Sequence, residues 1–68
     1  MKEFAICLKN LRTREGLTQK EISTELEISL STYKNWEKCG AGHRMPDIKM
    51  MIKLADILNT TLDELVGR

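Results

Sequence analysis

Apolar residues along the chain recur at the three- and four-residue spacing that gathers side chains on one face of a helix, so the pattern predicts helices only. Near the start of the chain this spacing joins Phe4, Cys7, Leu8 and Leu11. Gly16 follows where a helix stop is expected, because glycine readily adopts the left-handed conformation that ends many helices. A first helix is therefore predicted before Gly16.

A second helix is predicted to begin at Thr18. Thr18 and Glu21 form a T-x-x-E capping box, in which the threonine oxygen accepts from the N3 amide and the glutamate reaches back to the cap amide. Leu17 and Ile22 occupy the positions of a hydrophobic staple across the same turn. Ile22 and Leu26 continue the buried face, so two independent start signals agree.

The third predicted helix runs from about Ser29 to Lys38 after a tight turn. Ser29 is a good N-cap, and Ile28 with Tyr33 repeats the staple spacing, so the second helix ends by Ile28. Tyr33 and Trp36 fall on the inner side. The side chains that point elsewhere are small, polar or basic apart from one leucine: Leu30, Ser31, Lys34, Asn35 and Lys38.

A long loop and a fourth helix follow. The stretch from Cys39 to Pro46 combines glycines with the only proline and is predicted to be the one long loop. Pro46 and Asp47 then supply a helix breaker followed by a cap. One continuous apolar stripe is expected on this helix, made of Ile48, Met51, Ile52, Ala55 and Leu58.

The chain is predicted to end in a short fifth helix. Asn59 fits the left-handed stop of the fourth helix, since asparagine tolerates that conformation. Thr61 and Glu64 make a second capping box. The apolar side chains of this helix are Leu62, Leu65 and Val66.

Composition and charge fit a single domain over residues 1–68. A chain of 68 residues is too short for a second domain. Its hydrophobic content of 41% suffices for one small core. The net charge of +1 gives no gross attraction to nucleic acid. Any contact with an anion therefore depends on where the charges lie.

Cysteine usage and the N-terminal segment predict a cytoplasmic protein without membrane contact. Two cysteines are too few for a disulfide-stabilised secreted fold, and no N-terminal apolar run resembles a signal peptide or membrane span. Cys39 and His43 offer at most two clustered metal ligands, and Cys7 lies far off in sequence. No metal, cofactor, small-molecule ligand or enzyme activity is predicted, because no cluster of groups suited to catalysis is present.

The segment from Leu17 to Glu37, LTQKEISTELEISLSTYKNWE, closely resembles the helix-turn-helix of the lambdoid phage repressor and Cro family, also called the xenobiotic-response-element regulators. The resemblance continues in LRTREGLTQ and PDIKMMIKLADILNTTLDELVG and covers nearly all of Leu8 to Gly67. It implies an all-α, five-helix lambda-repressor-like domain with the motif in the second and third helices. The third helix of such a domain lies in the major groove of double-stranded DNA, while the second crosses the phosphate backbone.

The resemblance also implies which side chains contact DNA. Gln19 matches a glutamine that contacts a phosphate at the start of the second helix. Arg12 and Glu37 match a partly buried ion pair that links the first helix to the end of the third, with the arginine near the DNA backbone. The positions of the recognition helix that reach DNA are Leu30, Ser31, Thr32, Lys34 and Asn35.

The chemistry of these side chains suits DNA. Asn35 can bond N7 and N6 of adenine together, or a phosphate, and Ser31 can serve a base edge or the backbone. Leu30 suits a thymine methyl group, with an isolated exposed leucine as the alternative. Thr32 either contacts DNA or only supports the first turn of its helix.

Positive charge gathers around the third helix. Residues 29–46 contain Lys34, Lys38 and Arg44 against Glu37 alone, whereas the second helix has more glutamates than lysines. Lys34, Lys38 and Arg44 are therefore candidates for phosphate contact, with solvated surface cations as the alternative.

Three features depart from the pattern of the family, and one of them is a longer loop after Glu37 with Cys39 at the usual glycine position. Glu27 stands where a glycine usually lies between the two helices, and a left-handed backbone there costs a residue with a side chain about 1–2 kcal/mol. Ser23 replaces the usual alanine at the helix crossing, so its hydroxyl needs an acceptor, most simply a backbone carbonyl one turn back.

Together these features predict a sequence-specific transcriptional regulator, specifically a repressor that binds a palindromic or near-palindromic operator through the major groove. A homodimer is expected, with Leu62, Leu65 and Val66 as candidate contacts and packing inside the monomer as the alternative for them. The second hypothesis is a protein-interaction module of the same fold, such as an antitoxin or anti-repressor, with weak or no DNA binding. The low net charge and Leu30 favour that second hypothesis.

Overall fold

A computed structural model of the chain describes residues 2–38 and 46–67. These residues form five α-helices and no strand, which confirms the predicted all-α class. The helices are α1 (Lys2–Arg14), α2 (Gln19–Glu25), α3 (Leu30–Trp36), α4 (Ile48–Ile57) and α5 (Leu62–Leu65).

Two sequence predictions concern the end of the third helix and the loop that follows it. The third helix ends at Trp36 with Glu37 as its C-cap, and so is shorter than the predicted span to Lys38. Most of the predicted long loop, with Cys39, His43 and Arg44, lies outside the described residues.

Side-chain caps begin four of the helices at the predicted positions. Thr18 Oγ1 accepts from the Glu21 amide at 3.0 Å and Glu21 Oε1 accepts from the Thr18 amide at 2.9 Å, so the first capping box is complete. The second box forms only in half: Thr61 accepts from the Glu64 amide, but the Glu64 carboxylate accepts from the Thr60 hydroxyl at 2.8 Å. The N-caps are Thr18, Ser29, Asp47 and Thr61.

Left-handed residues end the helices that lead into turns. Gly16, Glu27 and Asn59 have φ of +72°, +59° and +54°, and Gly16 and Asn59 lie at the predicted helix stops. At Glu27 the strained form of the turn is the one observed. After α2 the Glu27 amide donates to the Thr24 carbonyl at 3.1 Å and the Ile28 amide to the Ser23 carbonyl at 3.0 Å. This is the Schellman arrangement, which uses the last carbonyls of one helix while redirecting the chain toward the next.

The core lies between the helices and takes side chains from all five of them. Ser23 is buried beside it, and its hydroxyl donates to the Lys20 carbonyl at 2.8 Å, which confirms the predicted acceptor one turn back. The largest fully buried side chains are Phe4, Leu8, Ile22, Leu26, Tyr33, Leu54, Leu58 and Leu65.

The predicted apolar stripe of α4 is wrong at two positions. Ile48 and Ile52 are 64% and 49% exposed, whereas Leu54, absent from the predicted stripe, is fully buried. Leu54 and Leu58 pack in the same core cluster as Leu65 of α5. The contact with α5 therefore rotates the inward face of α4 away from the two isoleucines.

The predicted dimer contacts of α5 also need correction. Leu65 is fully buried in the core of the single chain, so its prediction as a subunit contact is wrong. Val66 is partly buried against that core, while Leu62 is 38% exposed.

Within residues 2–38 and 46–67, no helix combines the length and the apolar character required to cross a membrane.

Candidate nucleic-acid interface

Packing against neighbouring helices fixes the position of α3 in the candidate interface. Tyr33 is fully buried, and α3 packs against α2 and α1. The rings of Tyr33 and Trp36 meet edge to face with centroids 5.9 Å apart. Because aromatic pairs bury large areas in a preferred geometry, these two side chains fix the inward face of α3.

The opposite face of α3 is open to solvent. Lys34, Asn35 and Lys38 are exposed, as are Ser31 and Thr32. Polar and cationic groups at this spacing form a surface able to donate to phosphate oxygens and to base edges.

Two side chains in the first turn of α3 are not fully available for contact with DNA, one because of burial and the other because of a hydrogen bond. Leu30, predicted to be exposed, is half-buried. Ser29 Oγ accepts from the Thr32 amide at 3.1 Å and lies 2.8 Å from Thr32 Oγ1. The Thr32 hydroxyl is thus engaged in the helix cap, which favours its supporting role.

One carboxylate joins the three helices around the interface. Arg12 of α1 donates from Nε to Glu37 Oε2 at 2.7 Å and from Nη2 to Oε1 at 3.3 Å. Gln19 of α2 donates from Nε2 to Oε1 at 3.1 Å, and the Tyr33 hydroxyl of α3 donates to Oε2. We call these four residues the Glu37 cluster. The structure thereby brings together the two side chains of the predicted ion pair and adds two partners to them.

Burial makes the Glu37 cluster more than a surface ion pair. The Arg12 and Glu37 side chains are only 13% and 5% exposed. Burial alone would raise the pKa of Glu37, but hydrogen bonds from Arg12, Tyr33 and Gln19 outweigh it and hold that pKa below its ordinary value. Hydrogen bonding to Glu37 raises the pKa of Arg12.

Tyr33 remains a proton donor across the physiological range. Burial and the hydrogen bond to Glu37 raise the pKa of the Tyr33 phenol well above its ordinary value. At neutral pH the cluster therefore consists of an ionised carboxylate surrounded by a guanidinium, an amide and a neutral phenol.

Gln19 occupies the first position of α2 and is half-buried. Its Nε2 atom uses one N–H for Glu37. A side-chain amide carries two N–H donors, so a second N–H remains beside the one that Glu37 accepts. Sequence reasoning missed the bond to Glu37, which joins residues distant in sequence. The Tyr33–Glu37 contact was signalled by a four-residue helical spacing.

Arg12 and Arg14 are both tied to the protein. Arg12 also donates from Nη1 to the Leu17 carbonyl at 2.7 Å, and so holds the segment that leads into α2. Arg14 Nη2 donates to the Leu58 and Asn59 carbonyls at 2.8 and 3.1 Å. This guanidinium therefore links α1 to the C-terminal end of α4, where a positive charge is favourable.

Lys34 and Lys38 are the predicted phosphate ligands that the structure leaves on the open side of α3. Arg44, the third candidate cation, lies outside the described residues. In the part of the chain that is described, no three side chains of the His, Cys, Asp and Glu types come together as a metal site.

Comparison with known proteins places this geometry in context. Residues 8–65 match the helix-turn-helix family. The transcriptional repressor RstR of the cryptic phage CTXphi in Vibrio cholerae is 38% identical over 61 residues, which are 90% of this chain and 52% of that protein.

Two regulators of Bacillus subtilis are similar over the same proportion of the chain. ImmR is 34% identical over 61 residues, covering 90% of this chain and 46% of ImmR. AnsR is 36% identical over 61 residues, covering 90% of this chain and 50% of AnsR. The chain thus spans about half the length of these relatives. No solved structure was found to match it.

Proposed function

Because this chain belongs to the helix-turn-helix family, we propose that it is a DNA-binding transcriptional regulator that inserts α3 into the major groove. The observation that carries the proposal is the two-sided character of α3. Its inward face is fixed by buried Tyr33, while its outward face presents exposed polar and cationic side chains. Such a rigidly held helix can meet base edges without first becoming ordered. Membership of the family supports a regulator rather than an enzyme.

Within this function, base edges and phosphates have different ligands. Asn35 and Ser31 contact base edges, and the accessible part of Leu30 meets a thymine methyl group. Gln19 and the cationic side chains hold the phosphate backbone on either side of the groove. The cations in this set are Arg12, Lys34, Lys38 and Arg44. Access to DNA also accords with the cytoplasmic location expected from the sequence.

The regulator acts as a repressor and binds a near-palindromic operator as a homodimer. One support is that a relative with 38% identity is named as a transcriptional repressor. The other is that two-fold related recognition helices read half-sites about one DNA turn apart. Since Leu65 belongs to the core, Leu62 is the apolar side chain of α5 most available to a second subunit.

Selection of binding sites from a random duplex library tests this function directly. We expect enrichment of a sequence with two inverted half-sites, and sedimentation should show two chains on each selected duplex. Affinity for that duplex should fall steeply between low and moderate salt, because bound phosphates release counterions. Absence of any enriched sequence, with equally weak binding at both salt concentrations, would contradict the proposal.

A pair of asparagine variants tests the assignment of base contacts. Asn35→Ala should cost the selected duplex about 1–3 kcal/mol of discrimination at one base pair of each half-site. Asn10→Ala is the matched control, because Asn10 is an exposed asparagine of α1. Equal specificity of the two variants would remove Asn35 from base recognition.

A second function remains supported by one observation. Ile48 and Ile52, one turn apart on α4, are both largely exposed. A chain of this fold that bound another protein would use such an apolar surface. The same selection separates the two functions, since a module of this kind would enrich no duplex sequence.

A further inference from the structure

We propose that Tyr33 is a positioning residue that sets the phosphate-binding amide of Gln19 through the Glu37 carboxylate. The proposal rests on the DNA-binding function above and assigns to a buried tyrosine an effect on a contact that it does not touch. Three helices meet at this carboxylate, so a change at Tyr33 in α3 can reach Gln19 at the start of α2.

The acceptor positions of the Glu37 carboxylate are fully occupied. Oε1 accepts from Gln19 Nε2 and Arg12 Nη2, while Oε2 accepts from Arg12 Nε and the Tyr33 hydroxyl. A carboxylate has about four acceptor positions. Each donor therefore restrains the rotation of the group, and the position of Oε1 depends on what holds Oε2.

The two hydrogen bonds between Arg12 and the Glu37 carboxylate differ in length. Arg12 lies 2.7 Å from Oε2 but 3.3 Å from Oε1, although an arginine and a carboxylate favour two parallel bonds of similar length. The Tyr33 hydroxyl on Oε2 and the Gln19 amide on Oε1 restrain the carboxylate in this uneven position, while the Leu17 carbonyl restrains the guanidinium through Nη1. Without the hydroxyl, the carboxylate can turn into an even fork with Arg12, and Oε1 then shifts relative to Gln19.

The hydrogen bond to Glu37 restricts the Gln19 side chain before DNA binds. Glutamine has several rotatable bonds, and fixing them at the moment of binding weakens the affinity for a ligand. The bond to Glu37 fixes the amide in advance, and the same nitrogen carries a second N–H that can donate to a phosphate. Loss of the Tyr33 hydroxyl should therefore weaken DNA binding specifically through Gln19.

Nuclear magnetic resonance of the free 68-residue chain tests the link without DNA. Gln19 is the only glutamine, so its side-chain amide signals can be assigned without ambiguity. We expect Tyr33→Phe to shift these signals and to leave those of the exposed Asn10 amide in place. Unchanged Gln19 amide signals in a folded Tyr33→Phe chain would overturn the proposal.

A double-mutant cycle on the selected duplex tests the consequence for binding. Tyr33→Phe should lower affinity by about three- to tenfold, the range expected from one net hydrogen bond. In a Gln19→Ala background the same substitution should change affinity by less than about twofold. A merely structural role for Tyr33 would give equal effects in both backgrounds, and that result would overturn the proposal.

Two further comparisons keep the outcomes distinct. If Tyr33→Phe alone fails to fold, the cycle is repeated in a Glu27→Gly background, where relief of the left-handed strain at Glu27 adds stability. If the wild-type chain binds no duplex, the proposed function fails, whereas additive effects in a binding-competent chain overturn only the role of Tyr33.

Discussion

Glu37 shows how a single residue can serve both the stability and the geometry of an interface. Its carboxylate is almost fully buried, yet it stays ionised because Arg12, Tyr33 and Gln19 donate to it. A buried ion pair is weak support for stability in itself, since desolvation opposes the attraction. Removing one partner is a different matter, because the remaining groups are then buried without an acceptor.

Replacement of Glu37 should therefore be costly. We expect Glu37→Ala to lower the free energy of unfolding by about 3–5 kcal/mol, since it leaves Arg12, Gln19 and Tyr33 without their shared acceptor. Urea denaturation followed by the fluorescence of Trp36, the only tryptophan, measures the change. Glu15→Ala is the control, because Glu15 is 30% exposed and pairs with Arg14, which is 48% exposed.

The control should change stability by no more than about 1 kcal/mol, the usual range for an exposed pair. A similar loss in both variants would show that burial of the Glu37 carboxylate makes no special contribution.

Acid should weaken the fold through the same carboxylate. The pKa of Glu37 in the folded chain lies below its ordinary value of 4.5, so its contribution is fully present above that pH and is lost as the pH falls through the folded-state pKa. Glu37→Gln cannot titrate. The difference in free energy of unfolding between wild type and Glu37→Gln should therefore narrow as the pH drops from 6 toward 3. A constant difference over that range would contradict the depressed pKa.

At the scale of elements, the turn between α2 and α3 shows strain at one residue. Glu27 has a φ of +59°, a conformation that costs a residue with a side chain about 1–2 kcal/mol. Glu27→Gly should raise the free energy of unfolding by about 1 kcal/mol, since relief of strain exceeds the added freedom of the unfolded chain. Glu25→Gly, at the last residue of α2, should lower it by up to about 1 kcal/mol.

Thermal denaturation of the two glycine variants measures this opposition of signs. The control is matched in the residue replaced and lies in the same helix–turn segment. Destabilisation by Glu27→Gly of the same size as by Glu25→Gly would indicate that Glu27 is unstrained or that its side chain supports the turn.

Local signals predicted the elements well because their causes are local. The capping box of Thr18 and the left-handed Asn59 depend on residues within one turn, and both are observed. The errors arose where distant contacts decide. Leu54 fits helical spacing with Met51 and Leu58, so spacing within α4 does not by itself choose between Leu54 and Ile52. Packing against α5 places Leu54 in the core.

The candidate site was predictable to a different degree from the fold. The outward face of α3 followed from helical spacing, and resemblance to a family paired Arg12 with Glu37. The hydrogen bond from Gln19 to Glu37 did not follow from either, because it joins the start of α2 to the end of α3. That distance is closed by the packing of the two helices, which side-chain patterns predict only in outline.

At the scale of the whole molecule, the net charge of +1 hides an uneven distribution. Lys34 and Lys38 are exposed on the side of α3 that we assign to DNA. Lys53 is equally exposed but belongs to α4, which packs against α5. If the whole charge attracted DNA, the position of a lysine would matter little. If the face of α3 makes the contact, position decides.

The salt dependence of binding distinguishes these cases. Lys34→Ala should reduce the slope of log affinity against log salt by about 1, because one fewer phosphate releases its counterion. Lys53→Ala removes the same charge and should leave the slope unchanged. The two variants have the same net charge as each other, because each loses one lysine. Any difference in slope between them therefore comes from the position of that lysine. Equal reductions in slope would instead mean that DNA is attracted by the charge of the whole molecule, and Lys34 would lose its assignment as a phosphate ligand.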